Sequence, residues 1–134
     1  MPDIFNFYPK DETGGRILAV CAGRKIGEPK KSVGQAQLVR NFGLSGDCDA
    51  GPGSQLYLLS QKDFLALKEI NPALVYGASG ENLAVTMDLT LLPPGTRLRS
   101  GDALLELTAV KSPLCGARVI LAGIVTEGDP ILVE

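Results

Sequence analysis

Histidine and tryptophan are missing from all 134 residues. The lack of histidine removes the usual general base and the Cys-His pair of thiol hydrolases. Cysteine is scarce, with only Cys21, Cys48 and Cys115, and no CxxC. An odd count at wide spacing argues against a disulfide framework. A structural zinc site would need all three thiolates plus a carboxylate, with no local pair to nucleate it, so no zinc is expected. No apolar run approaches the ~20 residues that span a bilayer. The N-terminal stretch has no basic region followed by an apolar one. No membrane association and a cytoplasmic location are therefore expected. Excess positive charge is lacking too: the net charge is −2. Nucleic-acid binding, which needs a basic face, is not expected. There is no P-loop or GxGxxG to hold a nucleotide.

What remains is an ordinary globular balance, 45% hydrophobic and 21% charged. Residues 1–14 read as an arm. It carries Phe5, Phe7 and Tyr8, three of only seven aromatic residues. They are expected to dock on its own domain or on a second subunit, and the second case would make a dimer through this arm. Residues 15–134 read as a single domain. Strands are predicted over 15–23, 36–44, 55–60 and 83–87, over a hairpin at 96–110, and over 118–123 and 131–133. One helix opens at Ser60, where Ser60-Gln61-Lys62-Asp63 resembles a capping box. Phe64, Leu67 and Ile70 give it an apolar stripe, and Asn71-Pro72 ends it. Three triplets, Ser45-Gly46-Asp47, Ser100-Gly101-Asp102 and Glu127-Gly128-Asp129, have no fixed period, and the last two read as turns. Many short strands and one or two short helices predict a mainly β fold, a closed or nearly closed barrel of about six to eight strands.

The stretch KSPLCGAR, Lys111 to Arg118, raises the question of chemistry. Free cysteine is usually a small buried filler, and that reading suits Cys21 inside an apolar strand. Cys48, in a loop between two aspartates, reads as an ordinary loop cysteine whose thiol is pushed up by its neighbours. Cys115 differs. Pro113 favours a strand end, Gly116 gives room beside the thiol, and Lys111 and Arg118 would lower its pKa if they fold back. Cys115 is thus predicted to be the most reactive thiol and Cys21 the least. Lys30, Lys31 and Arg118 are the cations available to an anionic ligand. Asp47 and Asp49 read as turn residues or as an acid/base pair. Gly80 is expected at positive φ. Glu81 is expected near the surface, capping backbone donors, and Asn82 as a clamp that donates and accepts.

Taken in order, GLSGDCDAGPG, LYLLS, GASGENLAV, RLRSGDALLELT and PLCG resemble the MOSC domain, found at the C-terminus of molybdenum-cofactor sulfurases and as small stand-alone bacterial proteins. The resemblance implies a strand-rich barrel and a cysteine that binds molybdenum or carries sulfur. Cys115 matches that cysteine, as metal ligand or sulfur carrier. Gly80-Glu81-Asn82 matches the family's GEN loop, and Gly46-Asp47 with Ala50-Gly51 matches its GD-x-H-x-G loop. There the chain departs, with Asp49 where the family usually has histidine and Ser54-Gln55 where arginine is common. The segment that longer members insert after the cysteine is also missing. The implied cofactor is the molybdenum-pterin cofactor, held by Lys31, Gly46, Asp47, Asp49, Gly80, Glu81, Asn82 and Arg118. The implied partners are that cofactor or its biosynthetic and acceptor proteins. Two other readings stand beside this one: a non-enzymatic module that docks on a molybdoenzyme or cofactor-synthesis protein, and a molybdenum-dependent reductase of N-hydroxylated compounds.

Overall fold

The computed structural model describes residues 14–111 and 113–134. The arm, apart from its last residue Gly14, lies outside them. The strands are β1 (Gly14–Ala22), β2 (Lys31–Ser32), β3 (Gln35–Val39), β4 (Gly43–Leu44), β5 (Leu56–Ser60), β6 (Leu83–Val85), β7 (Arg97–Ser100), β8 (Ala103–Lys111), β9 (Leu114–Leu121), β10 (Gly123–Thr126) and β11 (Pro130–Val133). Seven of them form a closed barrel in the order β11-β7-β8-β9-β5-β6-β1, and β11 pairs back onto β1. The eighth strand, β2, extends β1, while β10, β3 and β4 make a separate small sheet. The predicted barrel is therefore observed. No helix of the described residues is long and apolar enough to cross a membrane.

Alternation along each strand decides what the barrel encloses. On β5 and β9, Leu56, Leu58, Cys115 and Ala117 enter the main core with Leu107 of β8. Gln55, Tyr57, Gly116, Arg118 and Thr108 fall on the opposite face. On β1 the alternation slips at a register shift between Ile17 and Ala19. Such a bulge lets Ile17 and Val20 both face the main core. Ala19 and Cys21 turn outward into a second apolar cluster with Ala84, Leu18 and Tyr76.

β5 and β6 are parallel, so a crossover must join them. It contains α1 (Gln61–Ile70). Ser60 occupies the N-cap, but its hydroxyl makes no capping bond and instead accepts from the Leu89 N–H at 2.9 Å. The predicted capping box does not form, because the buried Leu89, which opens a 3-10 turn, takes this acceptor. The apolar stripe is also shorter than expected. Phe64 is buried and stacks on Tyr76, with ring centroids 4.1 Å apart, whereas Ile70 is 84% exposed.

Two other expectations change. The strand predicted over 36–44 is a hairpin, β3 and β4 paired across a turn in which Asn41 adopts φ +52°. Asparagine tolerates that conformation. Cys115 lies within a continuous strand, since Pro113 occupies the turn before β9.

Asn82 fastens the seam between β5, β6 and β1. Its side chain accepts from the Tyr57 N–H (3.0 Å) and donates to the Cys21 carbonyl (3.1 Å). Its own backbone bonds the same two residues. Asn82 and Cys21 are fully buried and Tyr57 is half-buried. Asn82→Ala should cost about 2–4 kcal/mol, because the buried Cys21 carbonyl and the half-buried Tyr57 N–H lose partners worth roughly 1–3 kcal/mol when fully buried. Urea unfolding measures it, and a loss under about 1 kcal/mol would mean that water reaches those groups.

Candidate functional site

Three loops meet at one end of the barrel: residues 24–30, 45–54 and 76–82. A buried cation joins them. The Lys30 ammonium lies 3.0 Å from Asp47 Oδ2 and 2.8 Å from Asp49 Oδ2. Its backbone N–H donates to the Gly77 carbonyl. Asp47 Oδ1 accepts from the Gly23 N–H at 2.8 Å, and Asp47 Oδ2 accepts from the Asp49 N–H at 3.3 Å. The Lys30 and Asp47 side chains are almost fully buried, while that of Asp49 remains 35% exposed. Asp47 is thus no mere turn residue. Burial by itself would raise its carboxyl, but the bonds from Gly23 and Lys30 outweigh this and hold it below its ordinary value. Burial would likewise lower Lys30, but its bonds to Asp49 and Asp47 raise it. Lys31, which follows directly, is exposed on β2 and lines no cavity described below.

The third loop is fixed by glycine and a buried acid. Gly77 has φ +95°, and a Cβ there would lie 2.3 Å from the Lys30 carbonyl oxygen. Gly80 has the expected positive φ, +97°. Glu81 is 0% exposed, a correction to its expected surface position. One of its oxygens accepts from the Gly77 N–H at 2.8 Å, so the capping role holds, and the other has no partner among the described residues. The loop needs a carboxylate inside because Gly77 would otherwise leave a buried donor unpaired.

Two cavities flank this knot, and Asp49 lines both. One, about 260 Å³, is bounded by Ile26, Glu28, Pro29, Lys30, Cys48, Ser79 and Gly80. The other, about 510 Å³, lies on the outer face of β5, β8 and β9 beneath the 49–54 loop, lined by Ser54, Gln55, Tyr57, Thr108 and Arg118. Thr108 Oγ1 donates to Gln55 Oε1 at 2.7 Å. The pair lies across Gly116, where a Cβ would come 2.7 Å from Thr108 Oγ1 and 2.9 Å from Gln55 Oε1. The sequence readings did not single out Tyr57, Thr108 or Gln55 as a group. The signal was the alternation in Gln55-Leu56-Tyr57-Leu58, which puts polar tips on one face.

The structure separates Cys115 from the other candidates. Its side chain is 2% exposed, belongs to the main core and lines neither cavity. Burial raises its thiol. Arg118 points to the other face and bonds Glu106 Oε1 at 2.6 Å, so it does not activate the thiol. The Lys111 side chain lies outside the described part. Cys21 is buried as expected. Burial first, then the Glu81 and Glu127 carboxylates, push it up to about 12 against an opposing pull from Lys30. Cys48 is raised by partial desolvation and the flanking aspartates, as its context implied.

Two outcomes follow. Asp47 contributes stability that is present above its unfolded pKa and is lost as pH falls through its lower folded value; Lys30 contributes below its unfolded pKa and loses it only as pH rises through its higher folded value. Asp47→Asn should therefore cost about 3–5 kcal/mol at neutral pH. The gap from wild type should narrow as pH falls below about 4. Denaturant midpoints against pH measure this, and a gap that stays constant into acid would rule out an ionised Asp47. In timed alkylation with peptide mapping, Cys48, the one thiol lining a cavity, should react first, and Cys21 and Cys115 only after denaturant is added. Native-state labelling of Cys115 at the rate of Cys48 would contradict its placement in the core.

Comparison with solved structures supports the architecture. The YUAD protein from Bacillus subtilis superimposes with a TM-score of 0.74 at 18% identity, covering 90% of this chain and 95% of that one. A structure described as a hypothetical protein gives 0.72 at 20% identity, covering 92% of this chain and 69% of the other. At such identities the likeness shows the fold alone. No curated protein matches the sequence significantly. The family model for the MOSC domain matches residues 45–116, more than half of the chain. That match spans the aspartate loop, the helix, the Glu81-Asn82 loop and Cys115, and the chain belongs to the MOSC-domain family, which is associated with the molybdenum cofactor.

Proposed function

We propose that the chain binds the molybdenum-pterin cofactor by its organic part, in the larger cavity. The observation that carries this reading is the lining of that cavity. A carboxylate (Asp49), a guanidinium (Arg118), an amide (Gln55) and three hydroxyls (Ser54, Tyr57, Thr108) surround about 510 Å³. A few convergent polar groups around a space of this size suit a small heterocyclic ligand. A pterin is a ring system with hydrogen-bonding edges, and in the cofactor its side chain ends in a phosphate. Arg118 is half exposed and suits a phosphate even while it touches Glu106.

The cavity lining fits the organic part, and the cysteine expected to hold the metal is not in it. The metal ligand that the family resemblance implies is the thiolate of Cys115. Cys115 faces the core on the other side of β9, and burial holds it protonated. Metal ligation and sulfur carriage by Cys115 are therefore not part of this reading. Any redox chemistry would come from the molybdenum; the side chains named here bind and orient.

The test is retention of cofactor released from a molybdoenzyme, read by fluorescence of the oxidised pterin. Arg118→Ala should weaken binding about tenfold, roughly 1.4 kcal/mol. Cys115→Ser should leave it nearly unchanged. The reverse pattern, with Cys115→Ser folded but unable to bind, would restore the thiolate-ligand reading. No binding by the wild type would favour a docking module.

A further inference from the structure

We propose that Asp49 is the residue that reads the pterin ring, accepting the pair of N–H donors on its 2-amino-4-oxopyrimidine edge. This rests on the cofactor-binding reading and names how the ring is selected.

Asp49 is the one charged side chain that lines both cavities. Oδ2 is held by the Lys30 ammonium, and Oδ1 accepts no hydrogen bond among the described residues. Lys30 is itself fixed by the buried Asp47. The carboxylate is thus oriented from behind and left with accepting capacity in front. An ionised carboxylate is acceptor-only and can take two parallel N–H bonds, the geometry that pairs it with a guanidinium. The amino and ring N–H groups of a 2-amino-4-oxopyrimidine present the same two-donor edge. A neutral imidazole offers one donor and one acceptor and cannot take both.

The cavity then has complementary ends. Asp49 from the loop meets the donor edge, and Arg118 from β9 meets the anionic tail. Ligands that keep the tail but replace the 2-amino group with an oxygen would set one acceptor against another, and an unpaired polar group at such a site is heavily penalised.

The full-length chain is titrated by fluorescence with three probes: pterin (2-amino-4-oxopteridine), lumazine (2,4-dioxopteridine) and 6-hydroxymethylpterin monophosphate. Wild type should bind pterin at least about tenfold more tightly than lumazine. Asp49→Asn and Asp49→His should lose that preference, and Asp49→Glu should recover part of it. Thermal melts check that each variant is folded. A purely structural partner of Lys30 would change stability without moving the pterin-to-lumazine ratio. Equal binding of pterin and lumazine by the wild type, or a ratio unchanged in Asp49→Asn, overturns the inference. If the phosphorylated pterin still binds through Arg118 in that case, the cofactor-binding reading stands alone. Binding of none of the three overturns both.

Discussion

One buried ammonium organises this end of the molecule. Removing Lys30 from water would be prohibitive alone, and burying Asp47 likewise. Together with Asp49 they are tolerated because each charge meets another within 3.0 Å. The cost of breaking such a set is large, since a single substitution strands a charge in the interior. The benefit is positional. Three loops of unrelated sequence are held together through one residue, by its ammonium on Asp47 and Asp49 and its backbone N–H on Gly77, and the carboxylate that shapes both cavities is held with them.

Much of the barrel was legible because its signals are local. Alternation marked β5 and β8, glycine-bearing turns marked the hairpin at Gly101 and the turn at Gly128, and Asn71-Pro72 marked the end of α1. The failures have physical reasons. The 36–44 run looks like one strand because Arg40, Asn41 and Phe42 carry no strong breaker; Asn41 at φ +52° and Gly43 at φ +106° together reverse the chain. Ser60 has the chemistry of a cap, but a backbone donor 29 residues away claims its hydroxyl.

The site was harder to read, and for a single reason. Its residues owe their roles to long-range partners. Glu81 looks like a surface acid until Gly77 folds over it. Asp47 looks like a turn residue until Lys30 arrives from 17 positions earlier. Cys115 has a suggestive local context, yet one step of β alternation sends its thiol into the core while Gly116 and Arg118 take the other face. Parity along a strand, which local composition does not reveal, separates a reactive cysteine from a filler here.

The closure of the barrel has a consequence for how the chain is made. β1 and β11 pair directly, Gly14 beside Leu132 and Arg16 beside Pro130. The seam therefore joins the first and last strands of the described residues. Until residues 130–132 are synthesised, the growing chain is an open sheet whose β1 and β7 edges present unpaired amides and carbonyls, the surfaces most prone to mispairing. Contacts of such long sequence separation also form slowly. Between the synthesis of β7 and that of β11 the nascent protein must therefore hold both of these edges open without mispairing them.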